Sequence, residues 1–471
     1  MRLRMTLPER KLLLWVVDLL VLNGGLLVLL ALHFDYQFSW RTVVRVPLYF
    51  VVLTALWFLW ASFSDCHELA ATADASHSAW RTGRAGLFTA LSYLLIPYIT
   101  PYFLPSRLWT LIFIVVTIVG VAIWRVVYAV VFAQPAFQQR ILIVGAGCSG
   151  ADLAKTLAGA PTEGNPYAGS GYYAVGFVDD DPRKAGSQVQ ALPVLGTHKD
   201  LPELVRQYMV DKVVLAITNP EEMSASLMQG LLDCREQGLD VLPMTTLHEQ
   251  ITGRVAIEHA GQNLAIVLPG EEPATLRILA VAKRLGDLLI SSIGLLILAL
   301  IPPLVALANA IWSPGPLFYW QTRVGRAGRT FRVVKFRSMV PSAEAQSGAV
   351  WASEHDPRVT PAGRLLRRTR LDELPQVWNV LRGEMSLVGP RPERPEFVAQ
   401  LVAQVPFYQA RHAVRPGITG WAQVRYRYGS SVEDAKAKLE YDLYYIKHRS
   451  LYLELSILAK TAAVMFGLGG R

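Results

Sequence analysis

LGDLLISSIGLLILALIPPLVALANAIW, residues 285–312, decides how this chain is arranged in space. The run is apolar except at its start and is interrupted by Pro302-Pro303. Proline removes a backbone donor and clashes with the preceding turn, so a helix through this run breaks there. The first arm, residues 285–300, rises only about 24 Å at ~1.5 Å per residue, short of a ~30 Å hydrocarbon layer. If the run crossed, everything after residue 313 would face the opposite side from what precedes it. A kinked re-entrant helix keeps both flanks on one side, and that is the expectation; an ordinary kinked span is the alternative. Lys283, Arg284 and Asp287 at its start are placed to anchor it at the headgroups.

Upstream, apolar runs fall at about 12–34, 46–63, 87–104 and 108–132, each near the ~20 residues that span a bilayer. Four helices return the chain to its starting side. The chain of 471 residues is 52% hydrophobic and 18% charged, with a mean hydropathy of +0.30, a composition that places part of it in lipid. The net charge of +9 then points to anionic headgroups and phosphorylated substrates, and away from nucleic acid. Arg4, Arg10, Arg81, Arg84 and Arg140 suit a cytoplasmic side, while Arg41 and Arg45 in the first loop weaken that signal. The first apolar run is too long for a signal peptide and lacks a small-residue cleavage site, so it is read as retained. Asp18, Asn23 and Arg125 lie inside the runs, where bundle-facing pairing or snorkelling is the expected arrangement and a functional role the alternative. Cys66, Cys148 and Cys234 show no metal spacing and read as reduced thiols.

From Arg140 the pattern changes. RILIVGAGCSGADLAKTLAG reads as a strand, a glycine turn at Gly145, Gly147 and Gly150, and an amphipathic helix. Strands follow at YYAVGFVDDD and DKVVLAIT with a helix at 201–208 between them. A Rossmann-like doubly wound domain fits. Its glycine loop can cradle a pyrophosphate, with Asp179 or Asp180 for a ribose hydroxyl, but the same glycines serve tight strand-to-helix packing in domains without a ligand. A formal YxxxK, Tyr208 to Lys212, straddles a helix end and a strand start and reads as coincidence.

Downstream, residues 313–340 carry Arg323, Arg326, Arg329, Arg332, Lys335 and Arg337 and no acid. Alternation in FRVVKFRSM suggests a strand with Lys335 and Arg337 on one face, suited to a diphosphate. In LDELPQVWNVLRGEMSLVGPRPE, residues 371–393, the adjacent carboxylates Asp372 and Glu373 sit among Arg364, Arg367, Arg368, Arg370, Arg382, Arg391 and Arg394. A small negative centre in a positive field suits phosphate chemistry: a carboxylate attacks or holds a metal while arginines take up phosphoryl charge.

KRLGDLL, SPGPLFYWQTRVGRAGRTFRVVKFRSM, LDELPQVWNVLRGEMSLVGPRPE and RPGITGWAQV together resemble the bacterial sugar transferases, the polyprenyl-phosphate hexose-1-phosphate transferases or monotopic phosphoglycosyl transferases, over residues 280–471. With the preceding helices and glycine-loop domain, the chain is similar to the large members that begin exopolysaccharide or O-antigen repeat units. The resemblance implies transfer of a hexose 1-phosphate from a UDP-hexose to undecaprenyl phosphate. It makes Asp372 the nucleophile of a covalent phosphosugar intermediate and implies Mg²⁺ held by Glu373 and Asp372. It implies phosphate or nucleotide contacts for Lys335, Arg337, Arg367 and Arg391 and an acidic role for Asp442. It also implies that the glycine-loop domain regulates or assembles.

The fold class expected is therefore a membrane protein, α plus α/β. Four transmembrane helices occupy 1–135, a Rossmann-like domain 136–265, a linker and re-entrant helix 266–312, and an α/β-type catalytic domain at the cytoplasmic interface 313–471. A bacterial inner-membrane location and a homodimer complete the picture. The rivals are a membrane-tethered NAD-dependent nucleotide-sugar epimerase or oxidoreductase, and a non-enzymatic scaffold of polysaccharide export. No residue selects the sugar.

Overall fold

A computed structural model describes residues 4–33, 40–72, 74–96, 100, 107–132, 134–158, 170–219, 223–259, 274–312, 314–340, 343, 356–426, 429 and 431–465. The chain divides into two compact units, Met1–Thr252 and Gly253–Arg471.

In the first unit, α1 (Leu7–His33), α2 (Trp40–Phe63), α3 (Ala75–Leu94) and α4 (Arg107–Val127) pack together. Among the described residues of this unit, three helical stretches are long and apolar enough to cross a membrane: Leu7–Leu32, Val46–Phe63 and Leu108–Phe132. The third run read from the sequence, 87–104, does not coincide with a helix. Its first part is the end of α3, which begins at Ala75, and residues 97–99 and 101–104 lie outside the described residues, as do the side chains of Arg41 and Arg45. The hydropathy of α3 is diluted by Ser78, Thr82 and Thr89, all buried. Thr82 and Thr89 donate to the carbonyls of Ser78 and Ala85 at 2.7 and 2.8 Å, the local bond that lets a hydroxyl lie in an apolar interior. The charged residues inside the runs pair within the bundle as expected. Arg125 donates to Asp18 at 2.5 Å, His67 lies 3.0 Å from the same oxygen, and Asn23 donates to Thr54 at 3.2 Å.

After the bundle comes a six-stranded sheet. Its strands are β1 (Gln139–Val144), β2 (Tyr172–Val178), β3 (Gln188–Val189), β4 (Leu192–Gly196), β5 (Lys212–Leu215) and β6 (Asp240–Pro243), in the order β3-β4-β2-β1-β5-β6. All pairings are parallel except β3 with β4. The helices are α5 (Cys148–Ala158), α6 (Leu201–Tyr208), α7 (Ala225–Glu236) and α8 (Met244–Thr252). α5 and α8 build one apolar core, including Leu153, Leu157, Met244 and Leu247; α6 and α7 build the other, including Leu204, Leu227 and Leu231. Two cores around a parallel sheet explain why β1 is buried at nearly every position and reads as a continuous apolar run. Arg4 donates to Asp211 and Arg10 to the Phe137 carbonyl, so two of the N-terminal basic residues are spent on holding the start of α1 against the sheet.

In the second unit, α9 (Ala274–Leu300) and α10 (Pro302–Trp312) are separated by a 47° bend at the expected proline pair. The hairpin β7 (Phe318–Val324) and β8 (Thr330–Phe336) follows. Then come α11 (Pro361–Arg368), α12 (Val377–Arg382), β9 (Ser386–Val388), α13 (Pro395–Gln404), β10 (Gly417–Thr419), α14 (Val432–Lys447) and α15 (Leu451–Met465). β9 and β10 pair in parallel.

The start of α9 corrects one expectation. Lys283, Arg284 and Asp287 are committed to protein partners, not to headgroups. Lys283 donates to the Val388 carbonyl at 3.0 Å and to Glu454 at 2.6 Å, and Arg284 donates to the Val380 and Leu381 carbonyls. Asp287, buried, accepts from the Ser386 hydroxyl at 2.8 Å and the Leu387 N–H at 3.1 Å. Strand β9 and the end of α12 turn main-chain groups toward α9, and its three charged side chains bond to them.

Candidate active site

The two carboxylates diverge because of the backbone that carries them. Helix α11 is capped by Thr360, whose hydroxyl accepts the Gly363 N–H at 2.9 Å, with proline at the first helical position. The chain turns at Arg370, held at φ 57°, a left-handed conformation that costs a non-glycine residue roughly 1–2 kcal/mol. It continues as a 3₁₀ helix, Leu371–Gln376, in which neighbouring side chains project about 120° apart. Asp372 and Glu373 are both buried, 7% exposed each, yet they meet different surroundings.

Glu373 faces two cations. Lys335, the penultimate residue of β8, donates to its Oε1 at 2.8 Å; Arg391 donates to the same oxygen at 2.5 Å and to Oε2 at 3.3 Å. Burial alone would push the Glu373 carboxyl up, but Arg391 and Lys335 outweigh it and hold it well below the usual carboxylate range. Burial pushes Asp372 up and the Glu373 charge adds to that; Lys335, Arg367 and Arg391 pull it down without cancelling the rise. One oxygen, Asp372 Oδ1, is buried with no hydrogen-bond partner. Adjacent carboxylates whose environments drive them apart, one fixed as an anion and one poised, are a mark of acid, base or nucleophile assignments.

The remaining expected residues stand at varied distances from this centre. Arg367 donates from Nε to the Ser338 hydroxyl at 2.9 Å and lies close enough to act on the Asp372 charge. Arg337 falls one residue past the end of β8; it is buried and donates to the Pro316 carbonyl at 2.7 Å, a contact that braces the chain before β7. Asp442 is one step behind. Its carboxylate accepts from Arg411 at 2.7 Å, and Arg411 in turn donates to the Tyr408 hydroxyl at 2.6 Å and to the Arg391 main-chain carbonyl at 3.0 Å. Burial lifts the Asp442 carboxyl to about 6 against the pull of Arg411. Asp442 therefore steadies the segment carrying Arg391, with Arg411 standing between it and that segment.

Four residues that the sequence reading did not single out complete the frame: Ser338, Asn379, Tyr408 and Arg411. Asn379, buried, accepts the Val334 N–H at 3.2 Å and donates to the Arg332 carbonyl and to Glu384, both at 2.8 Å. It serves β8 as a neighbouring strand would, fixing the register that aims Lys335 at Glu373. No periodicity marks such a residue; only its place inside the quoted 371–393 stretch was available.

Mg²⁺ favours one or two carboxylates and completes its shell from water and substrate phosphate. The unpartnered Asp372 Oδ1 and the loosely held Glu373 Oε2 suit that donor set. Among the described residues no group of three or more His, Cys, Asp or Glu is arranged for a metal.

The glycine loop of the first unit is held by its own side chains. Gly145 has φ 105°, and a Cβ on Gly150 would crowd the Gly145 carbonyl and lie 3.1 Å from Phe177. The Asp179 carboxylate accepts from the Ala146 N–H at 2.7 Å, from Lys184 at 2.8 Å and from the Asp181 N–H at 2.9 Å. Asp180 accepts from the His198 N–H at 2.9 Å. Space beside Gly147 is open. Tyr208 ends α6 and Lys212 opens β5, donating to Asp240 at 2.8 Å, so the two do not share a helical face.

Residues 278–467 match a family described as bacterial sugar transferase, and residues 62–229 a family described as CoA-binding domain. The chain is 40% identical over 260 residues to the UDP-N-acetylgalactosamine-undecaprenyl-phosphate N-acetylgalactosaminephosphotransferase of Aeromonas hydrophila, covering 55% of this chain and 60% of that one. It is 33% identical over 308 residues to the UDP-glucose:undecaprenyl-phosphate glucose-1-phosphate transferase of Xanthomonas campestris pv. campestris, covering 64% and 62%. The exopolysaccharide production protein PSS of Rhizobium leguminosarum bv. phaseoli matches at 42% over 186 residues, 38% of this chain and 93% of its own. The chain thus spans about three fifths of the length of the first two relatives.

Proposed function

The chain belongs to the bacterial sugar transferase family, and from that premise we propose that it moves a hexose 1-phosphate from a UDP-hexose to undecaprenyl phosphate. The observation that carries this reading is the split pair: Glu373 pinned by Lys335 and Arg391, beside Asp372 with a buried, unpartnered oxygen.

The first step is attack of the Asp372 carboxylate on the sugar-bearing phosphorus. The bond from that phosphorus to the bridging oxygen breaks, and UMP leaves with the electron pair. In the second step an oxygen of the lipid phosphate attacks the acyl phosphate, which returns Asp372 as a carboxylate and releases the lipid diphosphate sugar. A single nucleophile thereby serves two substrates in turn. Lys335, Arg391 and Arg367 place positive charge where phosphoryl charge develops. Burial around the pair excludes water, which would otherwise hydrolyse the acyl phosphate. Mg²⁺, when bound at Asp372 and Glu373, neutralises diphosphate charge and eases departure of UMP.

The membrane arrangement supports the chemistry. Residues of α9–α10 from Lys283 to Val305 touch the same compact unit. Lys283 and Arg284 bond to it, Gly294 lies against Val377, and Leu298, Ile301 and Val305 share a core with Phe336 and Leu366. Lys283 to Val305 is about 33 Å of helix at ~1.5 Å per residue. A segment crossing a ~30 Å layer does not stay against one water-exposed domain over that length, so the bent helix is re-entrant in our reading. We further propose that α3 is a fourth membrane helix. Trp80, Leu87 and Leu91 are exposed on it, opposite the hydroxyls it buries. A cytoplasmic face of a bacterial inner membrane, a Rossmann-like regulatory or assembly role for the sheet domain, and a homodimer belong to the same proposal.

The deciding experiment incubates the full chain in nanodiscs with radiolabelled UDP-hexose and Mg²⁺ but no lipid acceptor. Label should remain on the protein, leave on addition of undecaprenyl phosphate, and be absent from Asp372→Asn. Undiminished turnover in Asp372→Asn would refute the mechanism, and a wild-type protein that neither takes up label nor releases UMP would favour the oxidoreductase or scaffold readings.

A further inference from the structure

The active site uses one face of the β7–β8 hairpin. Antiparallel register places Tyr319, Lys335, Gln321, Val333, Arg323 and Phe331 on that face. From it Lys335 reaches Glu373, Val333 enters a small core with Val380 and Met385, and Arg323 donates to the Pro392 carbonyl. The opposite face carries Phe318, Phe336, Trp320, Val334, Thr322 and Arg332.

This second face begins on the lipid-lying helix. Phe336 is buried in a cluster with Val305, edged by Leu298 and Ile301, and Phe318 stacks on Phe336 at 5.3 Å. From there the face runs outward past Val334, which is buried, and becomes exposed along its β7 side and at Arg332. Phe318 is 37% and Trp320 42% exposed, and the Arg332 guanidinium lies 5.5 Å over the Trp320 ring. The adjoining turn exposes Arg326 and Arg329, and the sequence has no acid between residues 314 and 340. On the helix itself Leu304, Leu307, Ile311 and Trp312 are also exposed, so the apolar surface of α10 passes into an aromatic and then a basic surface. That order of side chains matches the order of layers met on leaving a bilayer: hydrocarbon, interface, anionic headgroup.

We propose that the outer face of the β7–β8 hairpin rests on an anionic bilayer surface. The Trp320 and Phe318 rings lie at headgroup depth, and Arg326, Arg329 and Arg332 lie against lipid phosphates. The hairpin is then a plate with lipid on one side and the carboxylate pair on the other. Lys335, which bonds Glu373, stands on the plate itself, so the contact fixes the height of Asp372 above the membrane. The inference rests on the re-entrant reading of α9–α10.

The test uses the full chain with Cys148→Ser and a single fluorophore at Thr322→Cys, or at Leu304→Cys on α10, in nanodiscs containing phosphatidylglycerol. Each site is quenched separately by lipid spin-labelled near the headgroup and by aqueous iodide. The proposal expects lipid quenching severalfold stronger than iodide quenching at both positions. It also expects the effect at 322 to fall at least twofold in neutral phosphatidylcholine or in a Trp320→Ala/Arg332→Gln background. If 304 is quenched by lipid while 322 is open to iodide, the hairpin inference fails and the re-entrant helix stands. If neither is quenched by lipid, the re-entrant reading itself fails. Lipid quenching at 322 that ignores headgroup charge overturns the anionic assignment. Protection from both quenchers marks a protein partner and overturns it too.

Discussion

Gly363→Ala tests whether the geometry around the carboxylate pair is what sets the rate. Gly363 sits at the start of α11, against Ser338, two residues past the end of β8. A methyl group there would overlap the Ser338 carbonyl oxygen and lie 2.7 Å from the Ser338 carbonyl carbon and 2.8 Å from its Cα, where ordinary contact begins at 3.4 Å. The overlap with the carbonyl oxygen is the tightest of the three contacts, so one side must retreat by more than the 0.7 Å (3.4 − 2.7) that the carbonyl carbon alone requires. Backbone lies on both sides, so no side chain can swing away. Ser338 is three residues beyond Lys335, its carbonyl accepts the Thr360 N–H at 3.1 Å, and its hydroxyl accepts from Arg367 at 2.9 Å. Whichever side yields, Lys335 or the α11-to-Asp372 segment moves with it. Misplacing a reacting group by about 1 Å costs on the order of 100-fold, so Gly363→Ala should lose roughly 10- to 100-fold in kcat. Strain of this kind also costs about 1–3 kcal/mol of stability. The assay is the initial rate of UMP release in nanodiscs, beside a thermal melt to confirm that the domain is folded. Gly286→Ala is the matched control. It lies on α9, its added methyl meets nothing within 4 Å, and replacing glycine by alanine inside a helix favours the helix by up to about 1 kcal/mol. A folded Gly363→Ala protein that transfers sugar phosphate at the wild-type rate would refute the argument, because the carboxylates would then tolerate a displaced frame.

Glu373→Gln removes the neighbouring charge that helps hold the Asp372 carboxyl up, so the acid limb of kcat/KM should move to lower pH even as kcat falls; a pH–rate profile reads both. The same change tests stability. The folded carboxyl of Glu373 is depressed, so its stabilisation is present above its unfolded value near 4.5 and is lost as pH falls below that. The melting difference between wild type and variant should therefore shrink on acidification through that range. In the bundle, Asp18→Asn leaves Arg125 buried without an anion and should cost about 3–5 kcal/mol. Asp18→Leu combined with Arg125→Met should recover most of that loss in a detergent unfolding titration.

The parts legible in the sequence were those written in short-range pattern. The proline pair at 302–303 broke the helix where chain chemistry requires it. The strand-glycine-helix opening at 139–158 formed as read, because a β-branched run, a positive φ at Gly145 and an amphipathic helix are local instructions. β3, β4 and β6 were not foreseen; β3 has two residues, and β4 and β6 each include a proline, Pro193 and Pro243, which reads against a strand. The third apolar run and helix α3 do not coincide because α3 buries hydroxyls that satisfy themselves on their own backbone, a solution that hydropathy counts as polar. Lys283, Arg284 and Asp287 misled for a related reason. Charges at the mouth of an apolar helix look alike whether they meet headgroups or main-chain carbonyls, and only tertiary packing chooses.

The same distinction explains what remained hidden at the site. Asp372, Glu373, Lys335 and Arg391 carry charge in a visible cluster, whereas Asn379 and Arg411 act on main-chain atoms. Asn379 occupies the free edge of β8, and Arg411 holds the Arg391 carbonyl. Each of the two cations on Glu373 thus has its backbone fixed by one buried polar side chain. A carboxylate held by two cations is rigid only if the cations are. Without those braces Lys335 and Arg391 would follow Glu373 and whatever phosphate arrives, and the charge would reorganise during reaction instead of standing ready before it. In this site the carboxylates and their cations define the chemistry, and buried side-chain contacts to the backbone decide whether that chemistry is preorganised.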